Sequence, residues 1–261
     1  MVNKQLIFGK QPILEALKGA TKLDRIITTK ESKDEIIAQI KELAQKQKVY
    51  VQVIQEKQFD NVLFKYKIAK NANHQHIVAF QSLIEYDNLE DKIPHLYEQG
   101  KSPLVLILDG ITDVGNFGAI ARSAFCMGVD TMVISHSNSA QINEVAMKAS
   151  AGALNKISVC REFSLRRAVE FLKYNGFKIY ATHVEDGQEV GSVDFSEPCA
   201  VIMGSEDEGV SQELLDKCDR NIRIPMVANF DSLNVSVSTG IILYEAMKQR
   251  KTLATSKQKN K

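Results

Sequence analysis

Leu104-Val105-Leu106-Ile107-Leu108 is an unbroken apolar run, and Asp109-Gly110-Ile111-Thr112-Asp113-Val114-Gly115-Asn116-Phe117-Gly118 follows it directly. An apolar run with no polar alternation predicts a strand buried on both faces, as in a parallel sheet. Similar runs recur at Thr131-Met132-Val133-Ile134 and Cys199-Ala200-Val201-Ile202-Met203, with shorter ones at Lys178-Ile179-Tyr180-Ala181-Thr182 and Asn221-Ile222-Arg223-Ile224. Helical patterns separate them at about 117–127, 141–150, 164–175, 210–217 and 235–249. Strand–helix alternation of this kind predicts an α/β fold with a mainly parallel, helix-covered sheet. Ligands in such sheets bind outside the carboxyl ends of the strands.

Working outward, residues 1–80 read as a separate small α/β unit. Leu6-Ile7-Phe8 is extended and Gly9 breaks it; Pro12 suits the first turn of a helix running to about Lys18. Arg25-Ile26-Ile27-Thr28-Thr29 and Val49-Tyr50-Val51-Gln52-Val53 are strand-like. Ile36, Ile37, Ile40, Leu43 and Ala44 have helical spacing, as do Phe59, Val62 and Leu63. Ile77-Val78-Ala79-Phe80 closes the unit. Residues 81–102 are acidic and mixed and are expected to be a linker holding a short helix. Residues 103–250 form the second domain, and 251–261 a basic tail expected to be disordered.

The chain has 261 residues, with 33 Lys+Arg, 32 Asp+Glu and 44% apolar residues, which excludes a disordered, collagenous or coiled-coil chain. No apolar run approaches a membrane span and no apolar segment follows the N-terminal Met, so a cytoplasmic protein is expected. Four scattered cysteines make neither a zinc site nor a disulfide framework, and no metal is expected. The near-neutral total hides an asymmetry. Residues 1–80 carry 14 basic and 8 acidic residues, net +6; residues 81–247 carry 13 and 24, net −11; residues 248–261 carry 6 and none. Basic segments suit a polyanion such as RNA, because neutralised phosphates release counterions, although lysine is also the common solubilising residue.

Three clusters sit where a parallel sheet places its chemistry. The first follows the strand at 104–108 and contains Asn116, Gly118 and Arg122. It lacks the GxGxxG of a dinucleotide site. Asn116 is also placed to cap a helix, and Arg122 to make a surface ion pair. The second is Gly204-Ser205-Glu206-Asp207-Glu208-Gly209, a carboxylate-rich loop suited to Mg²⁺ or to helix capping; Glu206, nearest the strand, is the better site candidate. The third is Ile224-Pro225-Met226 and then Ser232-Leu233-Asn234-Val235-Ser236-Val237-Ser238-Thr239-Gly240. Its period-two alternation also permits a short strand. No GxSxG elbow or HExxH pair frames a serine hydrolase or a zinc site.

In this order and spacing the clusters resemble the signature motifs of the SpoU/TrmH family of RNA ribose 2′-O-methyltransferases, within the knotted SPOUT superfamily. The first is Asn116-x-Gly118-x-x-x-Arg122, the second Val201-Ile202-Met203-Gly204-Ser205-Glu206-x-x-Gly209, and the third Ile224-Pro225-Met226 with Ser232-Leu233-Asn234-Val235-Ser236-Val237. Phe8-Gly9-Lys10-Gln11-Pro12 and His74-Gln75-x-Ile77-Val78-Ala79 resemble the L30e-like substrate-binding domain of the longer members. Together with Ser139-Ala140-Gln141-Ile142-Asn143, this is similar to the subgroup that methylates a guanosine in the peptidyl-tRNA-binding loop of large-subunit (23S) ribosomal RNA. His76 and Asp207 stand where this group usually has glycine.

The resemblance implies a trefoil-knotted C-terminal domain, a homodimer, and S-adenosylmethionine as methyl donor. Met203, Gly204, Ile224, Met226 and Leu233 would hold the donor, largely through backbone. Arg122 would activate or orient the ribose 2′-hydroxyl. Asn116, Glu206, Ser232 and Asn234 would position Arg122, the ribose or the methionine moiety. The partner would be ribosomal RNA, free or in an assembling large subunit. Transfer RNA or another ribosomal site is the alternative substrate, and a non-catalytic RNA-binding assembly factor the alternative function. Ile241, Ile242, Tyr244 and Met247 of the last helix are the apolar candidates for the dimer contact.

Overall fold

The computed structural model describes residues 6–19, 21–29, 34–69, 71–183, 186–227 and 232–259, with side chains in the last helix described as far as Thr252. Two compact units follow one another, Met1–Glu85 and Tyr86–Lys261.

The first unit runs β1 (Leu6–Phe8), α1 (Lys10–Lys18), β2 (Leu23–Thr29), α2 (Glu35–Lys46), β3 (Tyr50–Ile54), α3 (Glu56–Lys65) and β4 (Ile77–Gln81). Its sheet has the order β1-β4-β2-β3, with β4 antiparallel to both neighbours and β2 parallel to β3. The period-two geometry of β4 divides its apolar run between two cores. Ile77 and Ala79 face α1 and α2, packing with Ile13, Leu17, Ile37 and Ile40. Val78 and Phe80 face α3, packing with Phe59 and Leu63. A strand buried on both faces has no polar alternation, which is why 77–80 reads as continuous apolar sequence. Asp34 caps α2 by accepting from Ile37 N at 3.0 Å. His76, in the loop before β4, has φ 57°, the left-handed region that glycine occupies without cost.

The second unit runs α4 (Leu89–Glu98), β5 (Leu104–Leu108), α5 (Val114–Cys126), β6 (Thr131–Ser135), α6 (Glu144–Ala149), β7 (Ser158–Glu162), α7 (Leu165–Tyr174), β8 (Lys178–Thr182), β9 (Gln188–Glu189), β10 (Cys199–Met203), α8 (Gln212–Leu215), β11 (Arg220–Arg223) and α9 (Val235–Lys259). The sheet order is β7-β6-β5-β10-β8-β11-β9, and every pairing is parallel. The chain leaves β5 toward β6 and β7 on one side, and later inserts β10 on the other. The crevice between β5 and β10 is therefore a topological switch point, where such sheets bind ligands. Cys199 pairs with Leu104 and Met203 with Leu108, so the two strands end level.

Three expectations are corrected here. Residues 81–102 are not a linker throughout: Leu89, Ile93 and Leu96 of α4 lie in the core of the second unit beside Val105, Leu172 and Phe177. Their spacing is helical, but flanking acids mask it in composition. The segment 251–261 is not a disordered tail over its described part, because α9 continues to Lys259; Leu, Ala, Lys and Gln propagate a helix and no Gly or Pro stops it. Residues 260–261 lie outside the described residues. Ile242 is 1% exposed and packs in its own unit's core, so it is no interface residue; Val237, Ile241 and Tyr244 face outward at 51%, 38% and 54% exposure.

The far part of α9 is pinned by Gln249, which donates to Val193 O at 3.0 Å and accepts from Phe195 N at 3.0 Å. Arg250 also donates to Glu197 O at 2.9 Å and to Ser102 O. No helix among the described residues is long and apolar enough to cross a membrane.

Gly118 lets α5 and α6 touch: a Cβ there would lie 2.6 Å from Ala149 Cβ and 2.7 Å from Ala146 O. Gly118→Ala should gain helix propensity of about 1 kcal/mol yet lose about 1–3 kcal/mol to overpacking. The net expected is a lower urea midpoint at unchanged slope. Burial pushes the Cys160 thiol up to about 11 and the Cys218 thiol up to about 12, and also raises that of Cys199; Cys126 is exposed. At pH 8 a maleimide should label Cys126 quickly, half-buried Cys218 slowly, and buried Cys160 and Cys199 only on unfolding, as read by mass spectrometry of native and denatured protein.

Candidate active site

The site forms at the carboxyl ends of β5 and β10. Asp109 N donates to Met203 O at 2.9 Å, carrying the pairing one residue past the strands. The Asp109 carboxylate accepts from Ser211 N at 2.8 Å and so ties the end of β5 to the turn before α8. Asp113 caps α5 by accepting from Asn116 N at 2.7 Å. Asn116 is thus not the cap; it sits in the first helical turn, which frees its amide for other work.

After β10 the chain closes a small loop. Ser205 N donates to Gly209 O at 3.1 Å and Gly209 N donates to Ser205 O at 3.0 Å. Gly204 stands against this closure: a Cβ there would lie 2.0 Å from Gly209 C and 2.1 Å from Val210 N. Its need for glycine is met by the loop's own backbone. Asp207, where the resemblance expects glycine, is not among the residues of positive φ; Gly209 is, at 69°. The loop therefore tolerates an Asp in place of the glycine.

The loop presents Glu206, and the three motifs meet on one of its oxygens. Asn116 Nδ2 donates to Glu206 Oε1 at 3.2 Å, Asn234 Nδ2 donates to the same atom at 2.6 Å, and Val235 N does so at 3.1 Å. Asn234 Nδ2 also donates to Asn116 Oδ1 at 3.1 Å, closing the triangle. Asn234 Oδ1 accepts from Ser236 N at 3.0 Å and from Ser236 Oγ at 2.5 Å, capping α9. Glu206 thus places a carboxylate at the positive end of a 25-residue helix. Residues from Val235 onward are helical, so the apolar alternation from Leu233 to Val237 marks no strand.

A cavity of about 250 Å³ opens here, lined by Gly110, Thr112 and Asn116 after β5, Asn138 after β6, and Ser205 and Glu206 after β10. Asn138 escaped the sequence reading; its one signal is its place just past the end of β6. Asp207 and Glu208 add carboxylates to the same rim, which is acidic. Among the described residues no group of three or more His, Cys, Asp or Glu is placed to hold a metal ion.

The remaining candidates lie around this network. Arg122 is exposed on α5, nearly two turns beyond Asn116, and has no hydrogen bond or ion pair among the described residues. The surface ion pair weighed for it is therefore not observed there. Ser232 is half-buried and makes no hydrogen bond among the described residues. None of Met203, Gly204, Ile224, Met226 and Leu233 lines the cavity. Met203 is buried at 2% exposure, Gly204 is buried, and Ile224 is half-buried; Met226 and Leu233 are 37% and 36% exposed. Residues 228–231, between Met226 and Leu233, lie outside the described residues.

Comparison with known proteins places this arrangement. The model of the SpoU rRNA methylase family matches residues 103–244, and that of the RNA 2′-O ribose methyltransferase substrate-binding family matches residues 6–86. A Staphylococcus saprophyticus protein assigned to the TrmH family of tRNA/rRNA methyltransferases is 32% identical over 245 residues, 94% of this chain and 96% of that one. An AdoMet-bound rRNA methyltransferase from Sinorhizobium meliloti shares the fold at a TM-score of 0.59 and 23% identity, covering 94% of this chain and 87% of that one. The TrmH/SpoU tRNA-modifying enzyme of A. aeolicus is similar at a TM-score of 0.54 and 31% identity, over 64% of this chain and 86% of that one.

Glu206→Gln keeps an oxygen where three donors meet but removes the charge; Glu206→Ala removes both. Hydrogen bonds to charged groups contribute about 1.5–3 kcal/mol each, non-additively. Glu206→Ala should therefore lower the unfolding free energy by about 2 kcal/mol and Glu206→Gln by about half of that, as measured by urea titration. Equal effects of the two would mean that the charge contributes nothing.

Proposed function

Because the chain belongs to the SpoU rRNA methylase family, we propose that it transfers a methyl group from S-adenosylmethionine to the 2′-hydroxyl of a ribose in ribosomal or transfer RNA. Within that class we assign it a guanosine in the peptidyl-tRNA-binding loop of large-subunit ribosomal RNA. What carries the reading is the convergence of Asn116, Glu206 and Asn234, one from each motif, on a single carboxylate oxygen at a switch-point crevice.

The residues present fit the donor. S-adenosylmethionine supplies an already activated methyl on a sulfonium and carries net positive charge, which suits a rim bearing Glu206, Asp207 and Glu208. Met226, Val227 and Leu233 are exposed apolar residues whose backbone groups make no backbone hydrogen bond among the described residues. An apolar surface with open N–H and C=O groups suits a purine edge and face. In this reading Met203, Gly204, Ile224, Met226 and Leu233 hold the donor, and the hydroxyl of Ser232 contacts its methionine portion or the ribose.

The chain's own part is orientation. Asn116, Glu206 and Asn234 are positioning residues: they hold one another and the N-terminus of α9. Arg122 is left as an uncommitted cation among the described residues. A guanidinium keeps its proton in water, so we assign Arg122 to grip the phosphate beside the target ribose through its planar fork. The basic first unit supplies attraction for RNA, which the acidic second unit lacks. Two copies pairing through Val237, Ile241 and Tyr244 of α9, and a knotted path of the chain leading into α9, belong to the same reading.

Purified protein and radiolabelled S-adenosylmethionine, offered separately to unmodified large-subunit ribosomal RNA and to unmodified transfer RNA, test it. The expected product is 2′-O-methylguanosine in the peptidyl-tRNA-binding loop. Label in transfer RNA alone overturns the substrate assignment, and label in neither overturns the activity. Arg122→Ala should lower kcat/KM at least about 100-fold, and Arg122→Lys, which keeps charge without the fork, about 10-fold. Near-normal turnover by Arg122→Ala would remove the role given to that residue.

A further inference from the structure

Beyond the cavity, the carboxyl rim of the sheet carries an aromatic stack that the methyl-transfer site does not use. Phe163 directly follows β7 and His136 directly follows β6. Their rings stack at a centroid distance of 4.0 Å and an interplanar angle of 16°. The stack is held by the sheet: Ser135 pairs with Glu162, and His136 N donates to Glu162 O at 3.0 Å. Phe163 nevertheless remains 64% exposed. A single exposed aromatic needs no explanation; one with a face braced flat on a second ring and a backbone fixed by a parallel ladder is a rigid platform.

Three further observations say what such a platform would take. Arg167, four residues past Phe163 in the first turn of α7, is exposed and has no hydrogen-bonding or ionic partner for its side chain among the described residues. Of the other arginines in the segment 161–167, Arg161 lies over the Tyr86 ring and Arg166 pairs with Glu170 and Glu213, so Arg167 is the one whose side chain is uncommitted among the described residues. Finally, β6 lies between β7 and β5 in the sheet, with strands about 4.8 Å apart. The platform therefore stands about two strand spacings, or ~10 Å, from the end of β5, and Asn138, two residues beyond His136, already lines the cavity. An aromatic face with a neighbouring uncommitted cation is the chemistry that binds an unstacked base and its phosphate.

We infer that His136 and Phe163 form a stacking platform for a nucleobase flanking the methylated nucleotide, with Arg167 taking the adjoining phosphate. The inference rests on the reading of the protein as an RNA ribose methyltransferase. It adds a subsite that keeps the strand splayed across the sheet rim while the target ribose enters the cavity. Sequence tolerance is expected at this position, because every base offers a π-face.

The chain contains no tryptophan, so Phe163→Trp introduces a lone fluorescent reporter on a fully assembled protein. Its emission should be quenched on titration with whichever unmodified RNA transcript the wild type labels, and its RNA affinity should stay within about twofold of wild type. Phe163→Ala should raise the Kd for that transcript about 5- to 100-fold, with the S-adenosylmethionine Kd and the thermal midpoint unchanged. Arg167→Ala should weaken binding and reduce the slope of log K against log salt by about 0.7 to 0.9. If the wild type labels RNA but Phe163→Ala binds it normally and the tryptophan is not quenched, the platform is refuted while the activity stands. If Phe163→Ala instead changes the sedimentation coefficient at constant RNA affinity, the surface is a subunit contact and the inference is overturned. A wild type that labels neither transcript removes the activity on which the platform rests.

Discussion

The second unit is organised around one carboxylate oxygen. Glu206 Oε1 receives two side-chain amides and a backbone N–H from segments that are 90 and 28 residues away in sequence. Each donor alone is a modest interaction, because water competes for it. Together they set the start of α9, aim Asn116 and Asn234, and hold the loop after β10 against the loop after β5. The arrangement depends on strands that end level: with β10 shifted by one residue against β5, its side chains would change faces and Glu206 would miss its donors.

Close approach makes that convergence possible. Gly118 brings α6 onto α5, and Gly204 brings the returning backbone of Gly209 and Val210 onto the end of β10. The two glycines act through space rather than through unusual backbone angles, since neither has positive φ. At the other end, Gln249 and Arg250 clamp α9 to the segment 193–197 and to Ser102. A helix fixed at both places transmits no slack to its first turn, where the site is built. The outward residues of the same helix, Val237, Ile241 and Tyr244, recur at i, i+4 and i+7 and form a stripe of their own.

The charge division between the units has a matching logic. An acidic rim is poor for phosphate and good for a cationic donor, whereas the first unit is basic. Within the acidic unit, the exceptions are informative because they are local. Arg122 and Arg167 are exposed on helices that begin at the carboxyl rim of the sheet, after β5 and after β7.

The sequence by itself determined most strands and helices and the three side chains that meet at Glu206; the strands Ser158–Glu162 and Gln188–Glu189 carry no apolar run and were not legible. Doubly buried parallel strands are written as apolar runs, and side chains that must converge have chemically restricted identities. Leu104–Leu108 and Cys199–Met203 were legible for the first reason, and Asn116, Glu206 and Asn234 for the second. Only the tertiary structure decided that α4 is core rather than linker, that Asp113 and not Asn116 caps α5, that the alternation at 233–237 opens a helix, and that Ile242 faces inward. It alone brought a histidine and a phenylalanine 27 positions apart onto one stack. Apart from the Asp113 cap, which is local, each of these turns on a partner distant in the chain. Periodicity reports how a segment meets its surroundings, not which surroundings it meets, and sheet order and register supply that information.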